Sequence, residues 1–357
     1  MRLKFSHQQT RTNVDQMDMD AAPQLDDLEV ELKLIDKVGL SLSSTKHIGW
    51  SQYSDPPTST SPIYRFGCRW DPTNYSCSYD CVFMAFAWMY FHATEHWRTT
   101  WVGELPVAKT LSCHFEIIFH TLGCPDDDRQ VQQVNALFSC GRNAFRDVLS
   151  EEAPRLFPRR GPVFACLSDI LISLSCKQSS SRYFSFIASC GGPNCNIRVT
   201  TPEGAPFMLT PYTWTTITRL EDPPYHESLQ DWITQYFDHK VLLLSHSCPR
   251  CRTECPWTRS FLGPPWIWFE VFVGQANVVL PLFELLFPLH TYRLAAVIYG
   301  NARHFETRLS IPSGTWWHYD SQDNSRRPVV DAIAREEDLI TCRGGYTMNV
   351  LVYCQTR

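Results

Sequence analysis

At 357 residues the chain is long enough for one large domain or two ordinary ones, and 44% hydrophobic content with 12 Trp and 21 Phe supplies the side chains to fill a core. A formal net charge of -5 gives no general attraction to phosphate and argues against nucleic acid as a partner. The longest apolar runs, Cys81 to Phe91 and Val278 to Leu289, are shorter than the roughly 20 residues of a membrane helix, so no contact with a bilayer is expected.

The opening Met1-Arg2-Leu3-Lys4-Phe5-Ser6-His7 turns polar without the apolar core of a signal peptide. The chain is therefore expected to be intracellular, cytoplasmic or nuclear, with its 15 cysteines as reduced thiols. Residues 1–24 are polar and aperiodic, Leu25 to Val38 suits a short helix or strand, and 41–62 is a Ser/Thr/Pro-rich linker. Residues 1–60 are thus expected to be a disordered segment and linker, and 61–357 the folded domain.

The polar turn Asp71 to Ser76 leads through Cys77 into a mainly apolar helix over 79–97, with polar breaks at His92, Thr94 and Glu95. Apolar residues on every side predict a helix buried in a large core. Residues 111–176 read as largely helical, with a helix start near Asp126-Asp127-Asp128, a helical segment from Asn143 to Leu149 and a break from Pro154 to Pro162. Leu167 to Leu174 suits a helix or a buried strand. Strands are then predicted at Tyr183 to Ile187, Asn196 to Thr200 and Thr213 to Thr218, a helix at Ser228 to Phe237, and a strand at Val241 to Ser245. The last hundred residues predict strands at Trp266 to Val273, Thr291 to Tyr299, His304 to Ile311, Thr315 to Tyr319 and Tyr346 to Tyr353.

Three constellations carry chemistry. Cys190 and Cys195 enclose a Gly-Gly-Pro-Asn turn, and Cys248 and Cys251 form a CxxC, so the two pairs predict a tetrahedral, structural Zn2+ site. Cys255 is an alternative fourth ligand, and two pairs that never meet would leave no site. Cys77 stands near a helix start, where unpaired N–H groups and the dipole favour a thiolate. A buried packing thiol would look the same, and Cys81, one helical turn further in, is a rival. His304 follows the turn Gly300-Asn301-Ala302-Arg303, and Asp320 ends the next predicted strand. Neighbouring antiparallel strands would set the imidazole beside the carboxylate, as a thiol's base and its orienter require. The plainer alternative makes His304 a strand-edge residue and Asp320 a turn former.

Taken in order, these boxes resemble the ubiquitin-specific proteases (ubiquitin carboxyl-terminal hydrolases), papain-like cysteine peptidases. Asn74-Tyr75-Ser76-Cys77-Ser78-Tyr79-Asp80-Cys81 is similar to that family's Asn-x-Cys-Tyr-x-Asn-Ser box. Leu294 to Tyr299, Arg303-His304-Phe305 and Trp316-Trp317-His318-Tyr319-Asp320 resemble its His and Asp boxes, with Arg303 where a Gly is usual and Phe305 in place of Tyr. Gly345 to Tyr353 resembles its terminal strand. The resemblance covers about residues 62–354 and implies an α+β, papain-like fold with a helical thumb, a β-rich palm and zinc-ribbon-like fingers over about 178–258. It implies a deubiquitinase that cleaves after the C-terminal glycine of ubiquitin or a ubiquitin-like modifier, with Cys77 as nucleophile, His304 as base, Asp320 as orienter and Asn74 as a candidate oxyanion donor. The alternatives are a catalytically inactive scaffold of the same fold that binds ubiquitin or another protein and, less compatible with the charge, a zinc ribbon that binds nucleic acid.

Overall fold

The computed structural model describes residues 66–356 apart from 103–105, 123–127, 162–164, 176–183, 191–197, 203–228, 239–240, 249, 253, 262, 272–279, 288, 302, 324–326 and 343–344. The chain divides into two units, Met1–Ile48 and Gly49–Arg357, and every described residue belongs to the second. The expected N-terminal segment and linker, the expected strand at Thr213 to Thr218, and Cys195 lie outside the described residues.

Helix α1, Cys77–His92, is the centre of the helical part, and all of it from Cys77 to Phe91 is buried. The sequence CSYDCVFMAFAWMYFH has no polar stripe to offer to water, so the helix is stable only where neighbours cover it all round. The expected single helix over 79–97 is in fact two. Ala93 is extended, and the hydroxyl of Thr94 accepts a hydrogen bond from Trp97 N at 3.2 Å, capping α2, Glu95–Val102. A residue that caps one helix interrupts the previous one, and Thr94 does so here.

Helices α3 (Pro106–Thr121), α4 (Asp128–Glu152) and α5 (Leu167–Ser175) follow and pack on α1. They account for the expected helical region, with the break falling at its prolines. The approach of α4 to α1 depends on Gly141, where a Cβ would lie 2.7 Å from the Phe83 ring. Any larger residue there would drive the two helices apart.

The β part holds two antiparallel sheets. In one, β1 (Phe184–Ser189), β2 (Arg198–Pro202), β3 (Val241–Ser247) and β4 (Glu254–Phe261) pair in the order β2-β1-β4-β3, with α6 (Leu229–Asp238) between β2 and β3 in the chain. The other contains β5 (Trp266–Glu270), β6 (Glu284–Phe287), β7 (His290–Gly300), β8 (Phe305–Ser310), β9 (Trp316–Tyr319), β10 (Val329–Asp331) and β11 (Thr347–Gln355). Its order is β10-β9-β8-β7-β11-β5, with β6 pairing on β7. Strands β7 and β11 are central and buried on both faces, which is why their sequences read as near-continuous apolar runs. Strands β4, β6 and β10 were not anticipated: Pro256 and charged residues break up the pattern of β4, and β6 and β10 are only four and three residues long.

The helices are fastened to the large sheet by directed bonds as well as by packing. Trp88 Nε1 in α1 donates to Ser310 O in β8 at 3.0 Å, and Tyr319 OH in β9 donates to Cys68 O at 3.0 Å. All four groups are buried, so each bond satisfies atoms that would otherwise be stranded. The result is a mixed α and β architecture in which the start of α1 meets the ends of β8 and β9.

Candidate active site

The stretch before Cys77 is a tight polar turn built by Asp71. Its Oδ1 accepts from Thr73 N at 3.0 Å and Asn74 N at 3.1 Å, and its Oδ2 accepts from Asn74 Nδ2 at 2.6 Å. Aspartate's short side chain replaces backbone partners in this way, which is why the sequence turns here. Tyr75 then takes φ +45°, a left-handed conformation uncommon for a bulky residue, and it reverses the chain into α1. Ser76 closes the turn. Its hydroxyl accepts from Asp71 N at 2.8 Å and donates to Asp80 Oδ2 at 2.8 Å.

Helix α4 holds this loop from behind with two arginines one turn apart. Arg142 forms a wholly buried ion pair with Asp80 and donates to Arg69 O at 3.2 Å. Burial pushes the Asp80 carboxyl up, and the guanidinium beside it is the chief opposing influence. Arg146 donates to Asn74 O at 2.8 Å and to Pro158 O at 3.0 Å, and lies 5.0 Å over the Tyr79 ring. Neither arginine was singled out from the sequence. The signal was available: Arg142 and Arg146 interrupt an apolar stripe of Phe138, Phe145 and Leu149, and a cation on a buried stripe needs a partner.

On the opposite side, Asn301 shapes the turn that presents His304. Its Oδ1 accepts from Arg303 N at 2.7 Å and from His304 N at 2.9 Å, and its own N–H donates to His304 O at 3.1 Å. His304 is buried, with Nε2 2.7 Å from Asp320 Oδ1. The other ring nitrogen, Nδ1, is buried and makes no hydrogen bond of full geometry. Burial works to lower the imidazole's pKa, but Asp320 and the Cys77 thiol together outweigh it and push it up to about 9. Asp320 is held below the usual carboxylate range. Burial opposes its charge, and His304 together with Gln322 N, which donates at 2.8 Å, overcomes that opposition.

The structure thus brings Cys77, His304 and Asp320 together. It separates Cys77 from its rival, since burial, with Cys77 adding to it, pushes the Cys81 thiol well up and keeps it neutral. Asn74 sits in the same loop, but its amide is committed: Nδ2 to Asp71, and Oδ1 to Gly161 N at 2.8 Å. Arg303 is exposed at the turn.

Of the expected metal ligands, Cys190, Cys248 and Cys251 converge, their sulfurs all lying within 4.8 Å of one another. The Cys248–Cys251 turn is closed by Arg252 N donating to Cys248 O at 2.9 Å, with Arg252 at φ +61°. Ligands about 2.3 Å from a tetrahedral zinc stand somewhat under 4 Å apart, so this soft, three-sulfur set fits the ion.

No family model matches the chain, and no characterised protein matches it in sequence. Solved structures to which the chain is similar include the Ubp8/Sgf11/Sus1/Sgf73 SAGA DUB module bound to monoubiquitin, at 11% identity and a TM-score of 0.47, covering 94% of this chain and 76% of that one. The same module bound to ubiquitin aldehyde gives 11% and 0.47, with coverage of 94% and 77%. The Saccharomyces cerevisiae apo Pan2 pseudoubiquitin hydrolase-RNA exonuclease module gives 12% and 0.43, with coverage of 87% and 57%. At TM-scores below 0.5 these likenesses decide nothing about this chain, and its chemistry is read from its own residues.

Proposed function

We propose that the chain is a cysteine-type isopeptidase of the deubiquitinase kind, acting through Cys77, His304 and Asp320. The observation that carries this reading is one imidazole with Asp320 on Nε2 at 2.7 Å and the Cys77 thiol, at the start of a buried helix, acting on the same ring. The order of the Cys, His and Asp boxes and the terminal strand supports the substrate class.

In this mechanism His304 takes the proton of the Cys77 thiol, and Asp320 holds the ring and offsets the imidazolium's charge. The thiolate adds to the carbonyl carbon at the C-terminal glycine of the modifier. The oxyanion is met by backbone N–H groups of the first turn of α1, which have no partners within the helix. Collapse breaks the C–N bond, and the imidazolium gives its proton to the leaving amine. A water, deprotonated by His304, then attacks the thioester, releasing the modifier's carboxylate and the free thiol. Asn74 contributes by building the turn rather than by donating its committed amide. Cys190, Cys248 and Cys251, with Cys195, would hold a structural Zn2+ that ties two turns of the β insertion together and takes no part in the chemistry.

A ubiquitin derivative with an electrophile at its C-terminus should label the wild type and leave Cys77→Ala unlabelled. Labelling of neither, or of both equally, overturns the assignment. One observation favours a second reading, a scaffold that binds the modifier without cleaving it: the only side-chain amide in the Cys77 loop is already engaged. Retention of ubiquitin on the protein with no turnover of a fluorogenic ubiquitin conjugate would establish that reading.

A further inference from the structure

Strand β8 carries His304 just before its first residue, and Glu306 and Arg308 on it, at alternate positions and so on one face. Each meets an opposite charge on the neighbouring strands. His304 pairs with Asp320, His318 Nε2 lies 2.8 Å from Glu306 Oε2, and Arg308 Nε lies 2.7 Å from Asp331 Oδ2. Along β8 the basic, acidic, basic order is therefore answered by acidic, basic, acidic. This face is not solvated. Glu306, Arg308 and His318 are buried, and the segment around the short helical turn Glu336–Leu339 lies against them. Arg308 donates to Asp338 O at 2.7 Å and Thr341 O at 2.9 Å, and Cys342 Sγ donates to Glu306 Oε2 at 3.4 Å.

The middle pair has no part in the mechanism above, yet it adjoins it. Side-chain N and O atoms of His304, Glu306 and Asp320 all lie within 4.8 Å of one another. Two carboxylates at that separation repel each other, and a cation beside them would offset the repulsion. His318 stands there. A buried ion pair adds little net stability over apolar residues of the same shape, so its placement beside the reacting imidazole calls for another explanation.

We propose that Glu306 and His318 are positioning residues, an ion pair set beside Asp320 that fixes the electrostatic potential at His304 and so the pH range over which the Cys77–His304 couple works. The inference rests on reading Cys77, His304 and Asp320 as a reacting triad, but not on which modifier is cut. Among the described residues, the titratable groups placed around His304 and its partners are Cys77 and Cys81 on α1, Glu306 on β8, His318 and Asp320 on β9, and Cys342 and Tyr346 before β11, with Arg308 two residues beyond Glu306 on the same face of β8. In the proposed arrangement both pairs are ionic, so that Asp320 is balanced by His304 and Glu306 by His318. Removing one member of the second pair leaves a single uncompensated charge near His304, and salt screens it less than at the surface because Glu306, His318 and His304 are buried.

The test is the rate at which iodoacetamide alkylates Cys77 in the full-length chain across pH 4 to 11, read at the Cys77 peptide by mass spectrometry. The alkaline inflection reports loss of the imidazolium proton. Glu306→Gln removes a negative charge and should move that inflection down by about one pH unit, while His318→Gln removes a positive one and should move it up by about as much. The double variant should return towards the wild-type profile. A residue with only a structural role would slow alkylation without opposed shifts. Shifts in the same direction, or none, overturn the proposal. If His318→Gln does not fold, the isosteric Glu306→Gln decides alone, and an unmoved inflection refutes the idea. Absent ubiquitin-probe labelling with this profile intact would instead refute the deubiquitinase reading.

Discussion

The two sheets are built on different economies. The larger one is seamed by long central strands whose Tyr292, Tyr299, Leu351 and Tyr353 are buried, the three tyrosine hydroxyls donating to Pro264 O, Leu339 O and Leu282 O. The four-stranded sheet joins short strands to turns that bring three thiols together, Cys190 and Cys251 standing 3.2 Å apart. The first is held by packing. In the second, three thiols converge, and a metal cross-link is one way in which small β modules add to the stability their packing supplies. The site chemistry belongs to the sheet that needs no such cross-link.

Metal removal should separate the two regions most sharply. A strong chelator, or Cys248→Ser, is expected to abolish amide protection across β1 to β4 while β7 and β11 keep theirs, as followed by hydrogen exchange. Native mass spectrometry should show one zinc in the wild type and none in the variant, and a metal-free wild type would defeat the cross-link. Next in size is Arg142→Ala. It leaves the Asp80 carboxylate buried without its cation and should cost about 3–5 kcal/mol in denaturant unfolding. The loss should fall on the helical part and the large sheet, leaving zinc content unchanged.

A pH scan gives a smaller effect with a defined sign. The raised pKa of His304, about 9, means that its contribution to stability is complete below its unfolded value near 6.5 and is lost as pH rises through 9. On the order of 2–3 kcal/mol should disappear over that window, and His304→Gln should flatten the curve there. The lowered pKa of Asp320 works from the other side: its contribution is present above about 3.9 and fades as pH falls below that. The smallest effect is expected from Arg159→Ala, which breaks an exposed pair with Asp147 and should leave the melting temperature unchanged within error.

Much of this was legible from pattern. The buried helix after Cys77, the helical region to residue 175, and the five strands after residue 265 that were expected all stand near their anticipated bounds, because long apolar or alternating runs specify them locally. The His304–Asp320 neighbourhood was legible too, because antiparallel strands joined by a short turn must set such residues side by side. What was hidden depends on partners distant in sequence. Glu306 and Arg308 were not singled out, because their partners Cys342, Asp338 and Thr341 lie thirty or more positions further on. Asn74 looked like a free amide beside the nucleophile until Asp71 and Gly161 took up its two ends. Arg142 and Arg146 act on residues some seventy positions earlier, a relation that no local spacing encodes.

Those two arginines also make the position of the nucleophile a mechanical matter. Arg142 grips the chain on one side of the 71–76 loop through Arg69 O, and beyond it through Asp80, while Arg146 grips the loop itself through Asn74 O. Both project from one helix, so loop and helix are joined at two points. The opposite side of α4 is open, with Gln132, Gln133 and Asn143 exposed to whatever touches the surface. The nucleophile's loop thus takes its place from side chains of α4, whose other face meets solvent.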